Sequence, residues 1–155
     1  MWTTDGARVA VEVHWQVEPR FLAENEVQQA VAAALVHGDR AGIDVSVVLV
    51  DDRTLAGMHG NYLADPTPTD VMSFDLGEEG GGPAGELYVS VERAAEVAAE
   101  RGVAPARELA LYLVHGTLHL CGFDDHEPAD RQRMREAEAS VLGGLGYPPD
   151  PGAHE

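Results

Sequence analysis

The residues best placed for chemistry lie between Glu108 and His126, in the sequence ELALYLVHGTLHLCGFDDH. His115 and His119 are four residues apart, so on a helix both imidazoles share one face and can reach the same atom. Gly122 ends the helical pattern, and three polar side chains follow it: Asp124, Asp125 and His126. Two imidazoles and one further ligand leave a tetrahedral metal ion with an open position, as catalysis requires. The stretch therefore predicts a catalytic metal centre.

Unpaired imidazoles would be costly in this helix, which carries leucine and valine on nearly every side. Buried polar groups need partners, and one metal ion would satisfy both histidines and the third ligand together. Zinc is the ion expected for nitrogen ligands in a tetrahedral array, with nickel or another late transition metal as alternatives. We therefore expect one metal ion per chain and not a pair of core histidines.

The residue after His115 separates this stretch from the common zinc peptidases. Their helical motif has a glutamate there, which acts as general base, whereas this chain has Gly116. A peptidase mechanism thus lacks its usual proton acceptor. A glycine at this position lets another backbone or a substrate come close.

Length and composition are those of one globular domain spanning residues 1–155. Of the 155 residues, 45% are hydrophobic and 24% are charged, both ordinary fractions. A run of about 18 apolar residues would predict a membrane span, and the sequence contains none. The first residues mix charges with valines and do not resemble a signal peptide. Cys121 is the single cysteine, which fits a reducing compartment, so we expect a cytoplasmic protein.

The net charge of −17 argues against a broad basic surface for nucleic acid. All ten basic residues are arginines, so any contact with RNA must be local, through arginine clusters or through a metal ion. Arg131, Arg133 and Arg135 follow the histidine stretch at spacings of two. Residues two apart do not share a helix face, so we expect these three to form a solvated surface.

Hydrophobic periodicity predicts strands and helices in the order β-α-β-α-β-β-α-α-α. The expected strands are Val9–Trp15, Ile43–Val50, Thr69–Phe74 and Glu86–Val91, with a hairpin between the last two. The expected helices are Pro19–Val36, Arg53–Tyr62, Val91–Arg101, a histidine helix beginning at Pro105, and Glu127–Gly143. Asp51 and Ser90 are the predicted N-caps of the second and third helices, and residues 146–155 form an expected flexible tail.

This order of elements predicts an α+β fold, in which a small mixed four-stranded sheet is covered by about five helices. The histidine helix is apolar nearly all round, so it should lie buried at the centre.

The motif HGTLHLCGFDDH, with PTDVMSF upstream, resembles the YbeY family of bacterial endoribonucleases, also called rRNA maturation factors. The similarity runs from about Val9 to Leu142 and is densest at Pro68–Phe74, Gly85–Ala95 and His115–His126. The resemblance implies a metalloprotease-like site with a single zinc ion bound by three histidines. It also implies cleavage of single-stranded RNA, maturation of the 3′ end of 16S rRNA and ribosome quality control. The implied partners are rRNA and the small ribosomal subunit with its proteins, and no membrane.

By position, His115 and His119 match the family's first two ligands. The commonest family spacing places five residues between the second and third histidines, and this chain has six. Asp125 therefore stands at the usual ligand position, and His126 one residue beyond it. We predict His126 as the third ligand, because an imidazole completes the set and the loop can absorb one residue; Asp125 is the alternative.

A second departure concerns an arginine that most family members carry five residues before the position of Pro68, where it is thought to serve RNA binding or catalysis. This chain has Leu63 there. Another arginine, such as Arg53, would have to take over the phosphate-binding role of the family arginine, and the spacing favours no particular one.

A metal ion would lower the pKa of a bound water, after which hydroxide or the RNA 2′-hydroxyl would attack phosphorus; the sequence leaves both open. The candidate catalytic carboxylates are Asp124, Asp70 and Glu86. Asp124 would orient a ligand imidazole or serve only as a turn residue, and Glu86 is otherwise an edge-strand charge. Thr69 and Asp70 would cap a turn or, with Ser73, line a substrate groove.

Two other functions are open. One is a metal-dependent hydrolase of another substrate, such as a peptidase, which the missing glutamate disfavours. The other is a non-catalytic, ribosome-associated RNA-binding protein with a structural zinc ion. Leu63 and the net charge of −17 favour this alternative. An open coordination position would favour catalysis, and a fourth protein ligand would favour the structural role.

Overall fold

A computed structural model describes residues 11–63 and 70–149 of the chain. The strands within these ranges are β1 (Val11–Trp15), β2 (Val45–Val50), β3 (Val71–Asp75) and β4 (Gly85–Ser90). The helices are α1 (Glu24–His37), α2 (Asp52–Leu63), α3 (Val91–Arg101), α4 (Pro105–Leu120) and α5 (Pro128–Gly144). The predicted order of elements and the α+β fold are thereby confirmed.

The strands form one mixed sheet in the order β1-β2-β4-β3. The β1–β2 and β2–β4 pairs are parallel, and β3 runs antiparallel to β4, which confirms the predicted hairpin. Every residue of β2 except Ser46 is buried. A parallel strand buried on both faces needs apolar cover on both sides of the sheet.

Alternation along β2 divides that cover into two cores. Val47 and Leu49 belong to a large cluster shared with α1 and α4, while Val48 and Val50 belong to a smaller one shared with Leu55 of α2. Successive strand residues point to opposite faces, so α2 lies on one face of the sheet and α4 on the other.

Helix α4 is the central helix, as predicted. It packs against α1, α3 and α5 and also against β3 and β4, and Leu109, Leu113 and Leu118 are fully buried. No helix in the described ranges combines the length and apolar character needed to cross a membrane.

Gly116 brings α4 directly onto β3. A Cβ atom at this position would lie 2.8 Å from Cγ2 of Val71 and 3.1 Å from Oγ of Ser73, and the Ser73 hydroxyl donates to the Gly116 carbonyl at 2.9 Å. A close approach is present at Gly116, but the nearest atoms belong to side chains of β3 and β4 and not to a backbone or a substrate, as the sequence had suggested. Ser73 joins strand to helix, although the sequence had suggested it for a substrate groove.

The predicted caps are present. The Asp51 carboxylate accepts a hydrogen bond from the Thr54 amide at 2.7 Å, and the Ser90 hydroxyl accepts one from the Arg93 amide at 3.0 Å. Gly102 ends α3 in the left-handed conformation, with φ 72°, which glycine adopts at little cost.

The predicted start of α1 at Pro19 is wrong by five residues, since the helix begins at Glu24. The Ala23 amide donates to the Glu26 carboxylate at 2.8 Å, so the first free amide of the helix is satisfied there and not at the proline. Leu22 still reaches the core, but from the loop.

Part of the predicted tail is held in place. The Arg107 guanidinium donates to the Pro148 carbonyl at 2.9 Å, which ties the start of the segment 146–155 to α4. Residues 150–155 lie outside the described ranges, as does Thr69.

Candidate metal centre and its groove

The two histidines of α4 meet as their spacing requires. Nε2 of His119 lies 3.1 Å from Nε2 of His115, and the two rings are nearly perpendicular, at 78°. Both side chains are partly exposed, because this end of α4 reaches the protein surface. The helix therefore presents two nitrogen donors side by side and open to solvent.

The chain reverses after α4 and brings a carboxylate back to the same point. Helix α4 ends at Leu120, and Gly122 adopts a φ of 97°, which permits the reversal. Oδ2 of Asp125 then lies 3.4 Å from Nε2 of His115 and 3.5 Å from Nε2 of His119. His115, His119 and Asp125 form one candidate metal-binding group, which we call the triad.

His126, the third ligand preferred from the sequence, lies outside the triad. Its side chain is 83% exposed, and its Nε2 is 3.5 Å from Oδ1 of Asp124. It belongs to a second, more exposed group with Asp124 and Asp125. The structure thus places the alternative ligand, Asp125, beside the two histidines and turns His126 toward solvent.

The spacing of the triad fits a small divalent cation. Donor atoms bound tetrahedrally to zinc at about 2.1 Å are about 3.4 Å from one another. The three donor separations of 3.1, 3.4 and 3.5 Å lie around that value. Two imidazoles and one carboxylate are also a donor set typical of catalytic zinc sites.

A carboxylate on α5 orients one of the histidines, and sequence reasoning missed it. Oε2 of Glu138 lies 2.5 Å from Nδ1 of His115, the ring nitrogen that faces away from the triad. Burial lowers the pKa of His115, but the hydrogen bond and negative charge of Glu138 outweigh it, so the net pKa is raised. Its position in the sequence could have indicated this role. Glu138 lies four residues after the buried Met134 in α5, on the same side of the helix.

His115 and Asp125 of the triad line a cavity of about 630 Å³, which we call the α4 groove. Its floor is the face of α4 between Glu108 and His115. Its walls come from α3, between Arg93 and Arg101, and from α5, between Arg131 and Glu138. His115, Asp125 and Glu138 line it, so a molecule in the groove would touch the candidate metal centre.

The carboxylates proposed from sequence are placed differently from one another. Asp70 lines the α4 groove. Asp124 accepts from the amides of Asp125 and His126, at 2.7 and 3.3 Å, and the Asp125 amide holds its pKa below the usual range, as befits a turn residue. Glu86 lies within β4, between Ser46 of β2 and Phe74 of β3; the expectation of an edge-strand charge is therefore wrong, because β4 is an interior strand, and Glu86 does not line the groove.

Fold and site together define a class: an α+β protein whose central helix ends in a two-histidine, one-carboxylate group beside a groove. The family model for the endoribonuclease YbeY matches residues 12–146. The chain belongs to the YbeY endoribonuclease family.

Relatives that carry the name endoribonuclease YbeY cover most of the chain. The protein from Carboxydothermus hydrogenoformans is 40% identical over 79% of this chain and 85% of its own. The one from Desulfitobacterium hafniense is 33% identical over 88% and 97%, and that from Roseiflexus castenholzii 36% identical over 92% and 96%. The family resemblance inferred from the motifs is confirmed.

The fold also matches a solved structure, that of TM1509 from Thermotoga maritima. The TM-score is 0.59 at 24% identity, and the match covers 92% of this chain and 98% of that one. At this identity the similarity concerns the fold alone.

Proposed function

We propose that the protein is a zinc-dependent endoribonuclease that cleaves single-stranded RNA. The observation that carries the proposal is the triad, whose three donor atoms lie 3.1 to 3.5 Å apart beside a groove, in a chain related to proteins named endoribonuclease. We further propose that it acts in the cytoplasm on the 3′ end of 16S rRNA and in ribosome quality control, with the small ribosomal subunit and its proteins as partners.

In this proposal His115, His119 and Asp125 hold the metal ion. Such an ion supplies Lewis acidity toward water and toward a phosphoryl oxygen. Glu138 accepts the Nδ1 proton of His115, because the two atoms are 2.5 Å apart. That bond keeps the Nε2 lone pair of His115 directed toward the other two ligands, as carboxylate partners of ligand histidines do elsewhere.

Asp70 is the proposed general base. Of the three carboxylates suggested from the sequence, it is the one that lines the α4 groove with His115. It would take a proton from the attacking hydroxyl, either of water or of the RNA 2′ position. Isolation of a product ending in a 2′,3′-cyclic phosphate would exclude direct attack by water.

A peptidase is disfavoured by the packing at Gly116. The zincin glutamate would need to stand there, and even a Cβ would lie 2.8 Å from Val71. The triad offers three protein ligands among the described residues and adjoins a groove, which favours catalysis over a closed structural zinc site.

The test is metal content and cleavage of a single-stranded RNA, measured on wild type, His119→Ala, Asp125→Ala and His126→Ala. Loss of a ligand should remove bound zinc and reduce cleavage by at least about 100-fold in the first two variants. His126→Ala should keep both, because its side chain is turned to solvent.

Zinc retained by His119→Ala would refute the proposed ligand set. Loss of zinc from His126→Ala, with retention in Asp125→Ala, would restore His126 as the third ligand. Full zinc occupancy without cleavage of RNA would refute the enzymatic proposal and favour the RNA-binding alternative.

A further inference from the structure

The α4 groove concentrates arginine in a strongly acidic protein. Four of the chain's ten arginines line it, namely Arg93, Arg101, Arg131 and Arg135. Four carboxylates line it as well, namely Asp70, Glu108, Asp125 and Glu138. Its formal charge is therefore zero, whereas the chain as a whole carries −17. A divalent cation at the triad would make the groove positive, the sign that a polyanion requires.

Several of these carboxylates are engaged inside the protein. Glu138 binds His115, Asp125 faces the two triad histidines, and Glu108, whose side chain is 2% exposed, lies 3.3 Å from Arg101. Arg101 is thus matched by a buried carboxylate of its own. The arginines on α5 stand on the opposite wall.

Arg131 and Arg135 lie on one face of α5, because they are four residues apart. Both side chains belong to exposed residues that line the groove. Nη1 of Arg131 donates to the His126 carbonyl at 2.7 Å, a neutral partner that leaves the positive charge uncancelled. The sequence predicted a solvated surface for these arginines; Arg131 and Arg135 are indeed exposed, and in addition they line the groove.

Arg133 provides an internal contrast. It is turned about 200° from Arg131 around the helix, and its guanidinium pairs with Asp130. It does not line the groove. Of the three arginines on α5, Arg131 and Arg135 therefore line the groove and Arg133 does not.

We infer that Arg131 and Arg135 bind phosphates of the single-stranded RNA that lies in the α4 groove, and so supply the contact that Leu63 cannot make. We call Arg131 and Arg135 the α5 arginine pair. The inference rests on the proposed function, since it requires an RNA strand that runs toward the triad. Guanidinium groups suit this task because they bind phosphate oxygens in a bidentate manner and stay charged.

The test is binding of a fluorescein-labelled, 2′-O-methylated single strand of about 12 nucleotides, measured by anisotropy on zinc-loaded protein over a range of salt concentrations. The double variant Arg131→Gln/Arg135→Gln should bind at least about tenfold more weakly. Each lost phosphate contact reduces the slope of log K against log salt by about 0.7, so the slope should fall by roughly 1.4.

The matched control is Arg133→Gln/Arg20→Gln, which changes the net charge equally. Arg20 is exposed and pairs with Glu18, outside the groove. The control should keep the wild-type slope and change affinity less than about threefold. Equal losses in the two double variants would reduce the effect to overall charge and overturn the inference.

Arg131 also supports the loop that carries Asp125, through its bond to His126. The single variant Arg135→Gln separates the two roles. The slope of log K against log salt should fall by about half as much in this variant as in the double variant. The variant should bind zinc as wild type does. An unchanged salt slope in Arg135→Gln would refute its contact with phosphate.

Cleavage of unmodified RNA distinguishes failure of this inference from failure of the proposed function. A wild type that binds the strand with the expected arginine dependence but never cleaves RNA would refute the nuclease and leave the α5 arginine pair in place. If wild type cleaves RNA, and Arg131→Gln/Arg135→Gln binds and cleaves as the control variant does, only the inference about the α5 arginine pair is refuted. Absence of binding by wild type would overturn the α5 arginine pair, and absence of both binding and cleavage would overturn both proposals.

Discussion

At the scale of single residues, the candidate metal centre depends on which nitrogen of His115 faces His119 and Asp125. An imidazole can present either ring nitrogen, and the partner of the other nitrogen decides. Glu138 approaches Nδ1 to 2.5 Å, which leaves Nε2 beside His119 and Asp125. A residue 23 positions away, on a different helix, therefore orients a candidate ligand that the sequence motif already indicated.

Glu138→Gln should weaken zinc binding by about 10- to 100-fold, the usual effect of removing a carboxylate behind a ligand histidine. The side chain keeps its size, so α5 should pack unchanged. Competition with a chromophoric chelator measures the affinity. Glu136→Gln is the control, because Glu136 is exposed and bonded to Gln132 on the same helix. Equal affinities in the two variants would contradict the orienting role of Glu138.

At the scale of elements, the approach of α4 to β3 sets the height of the triad above the sheet. Gly116 has no room for a Cβ, with Val71, Ser73 and Leu87 all within 3.2 Å of where it would stand. Val71 and Ser73 lie on a strand and cannot retreat independently. A side chain at 116 would therefore force a shift either of these neighbours or of the helix that carries His115 and His119.

Gly116→Ala should destabilise the protein by about 1 to 3 kcal/mol, the usual cost of overpacking a core, as measured by urea unfolding. Gly57→Ala is a matched control, since Gly57 lies in α2 and a Cβ atom there would have no neighbour within 4 Å. That variant should gain roughly 0.5 to 1 kcal/mol from helix propensity. A stabilising effect of Gly116→Ala would show that the helix can shift freely.

A second link between elements is ionic. Arg40, in the loop before β2, donates to the Leu120 carbonyl at the end of α4 at 2.5 Å and to the Asp75 carboxylate at the end of β3 at 3.0 Å. Glu78 lies 3.6 Å from the same guanidinium. The hydrogen bond from Arg40 is the main cause that lowers the pKa of Asp75. The arginine thereby joins the histidine helix to the hairpin.

This link should contribute stability at neutral pH that is lost in acid. Because the folded-state pKa of Asp75 lies below its unfolded value, the contribution is complete above the unfolded pKa, about 3.9, and disappears as the pH falls through the folded value. Asp75→Asn should lower the free energy of unfolding at pH 7 and change it much less at low pH. Urea unfolding of both proteins at several pH values measures the difference, and a pH-independent difference would contradict the ionic origin.

At the scale of the whole molecule, local patterns predicted the elements, and long-range packing determined the rest. The histidine pair, the caps at Asp51 and Ser90 and the β3–β4 hairpin follow from short spacings, so the sequence revealed them. The partner of His115 and the groove-facing arginines depend on how α5 lies against α4. Likewise, the path of the chain after Gly122 decides which of two adjacent residues, Asp125 or His126, turns toward the histidines. No periodicity encodes that choice.

A metal ion at the triad would join the end of α4, the following loop and, through Glu138, α5, so its removal should weaken the whole fold. An ion that binds only the folded state stabilises it by about 2.7 kcal/mol at a free concentration of 100 times its Kd. For a chain of this size that corresponds to roughly 5 to 10 °C in Tm. Calorimetry of wild type should show this rise with zinc, and His119→Ala should show none.

A control is needed because the chain has 27 acidic residues, and those exposed at the surface could bind cations weakly and nonspecifically. Magnesium prefers oxygen ligands, so it reports on those carboxylates but not on a pair of imidazoles. It should raise the Tm of wild type and His119→Ala equally and only slightly. If zinc stabilised both proteins to the same extent, the ion would be acting through the acidic surface. The triad would then be an arrangement of side chains without a metal, and the proposed chemistry would have no centre.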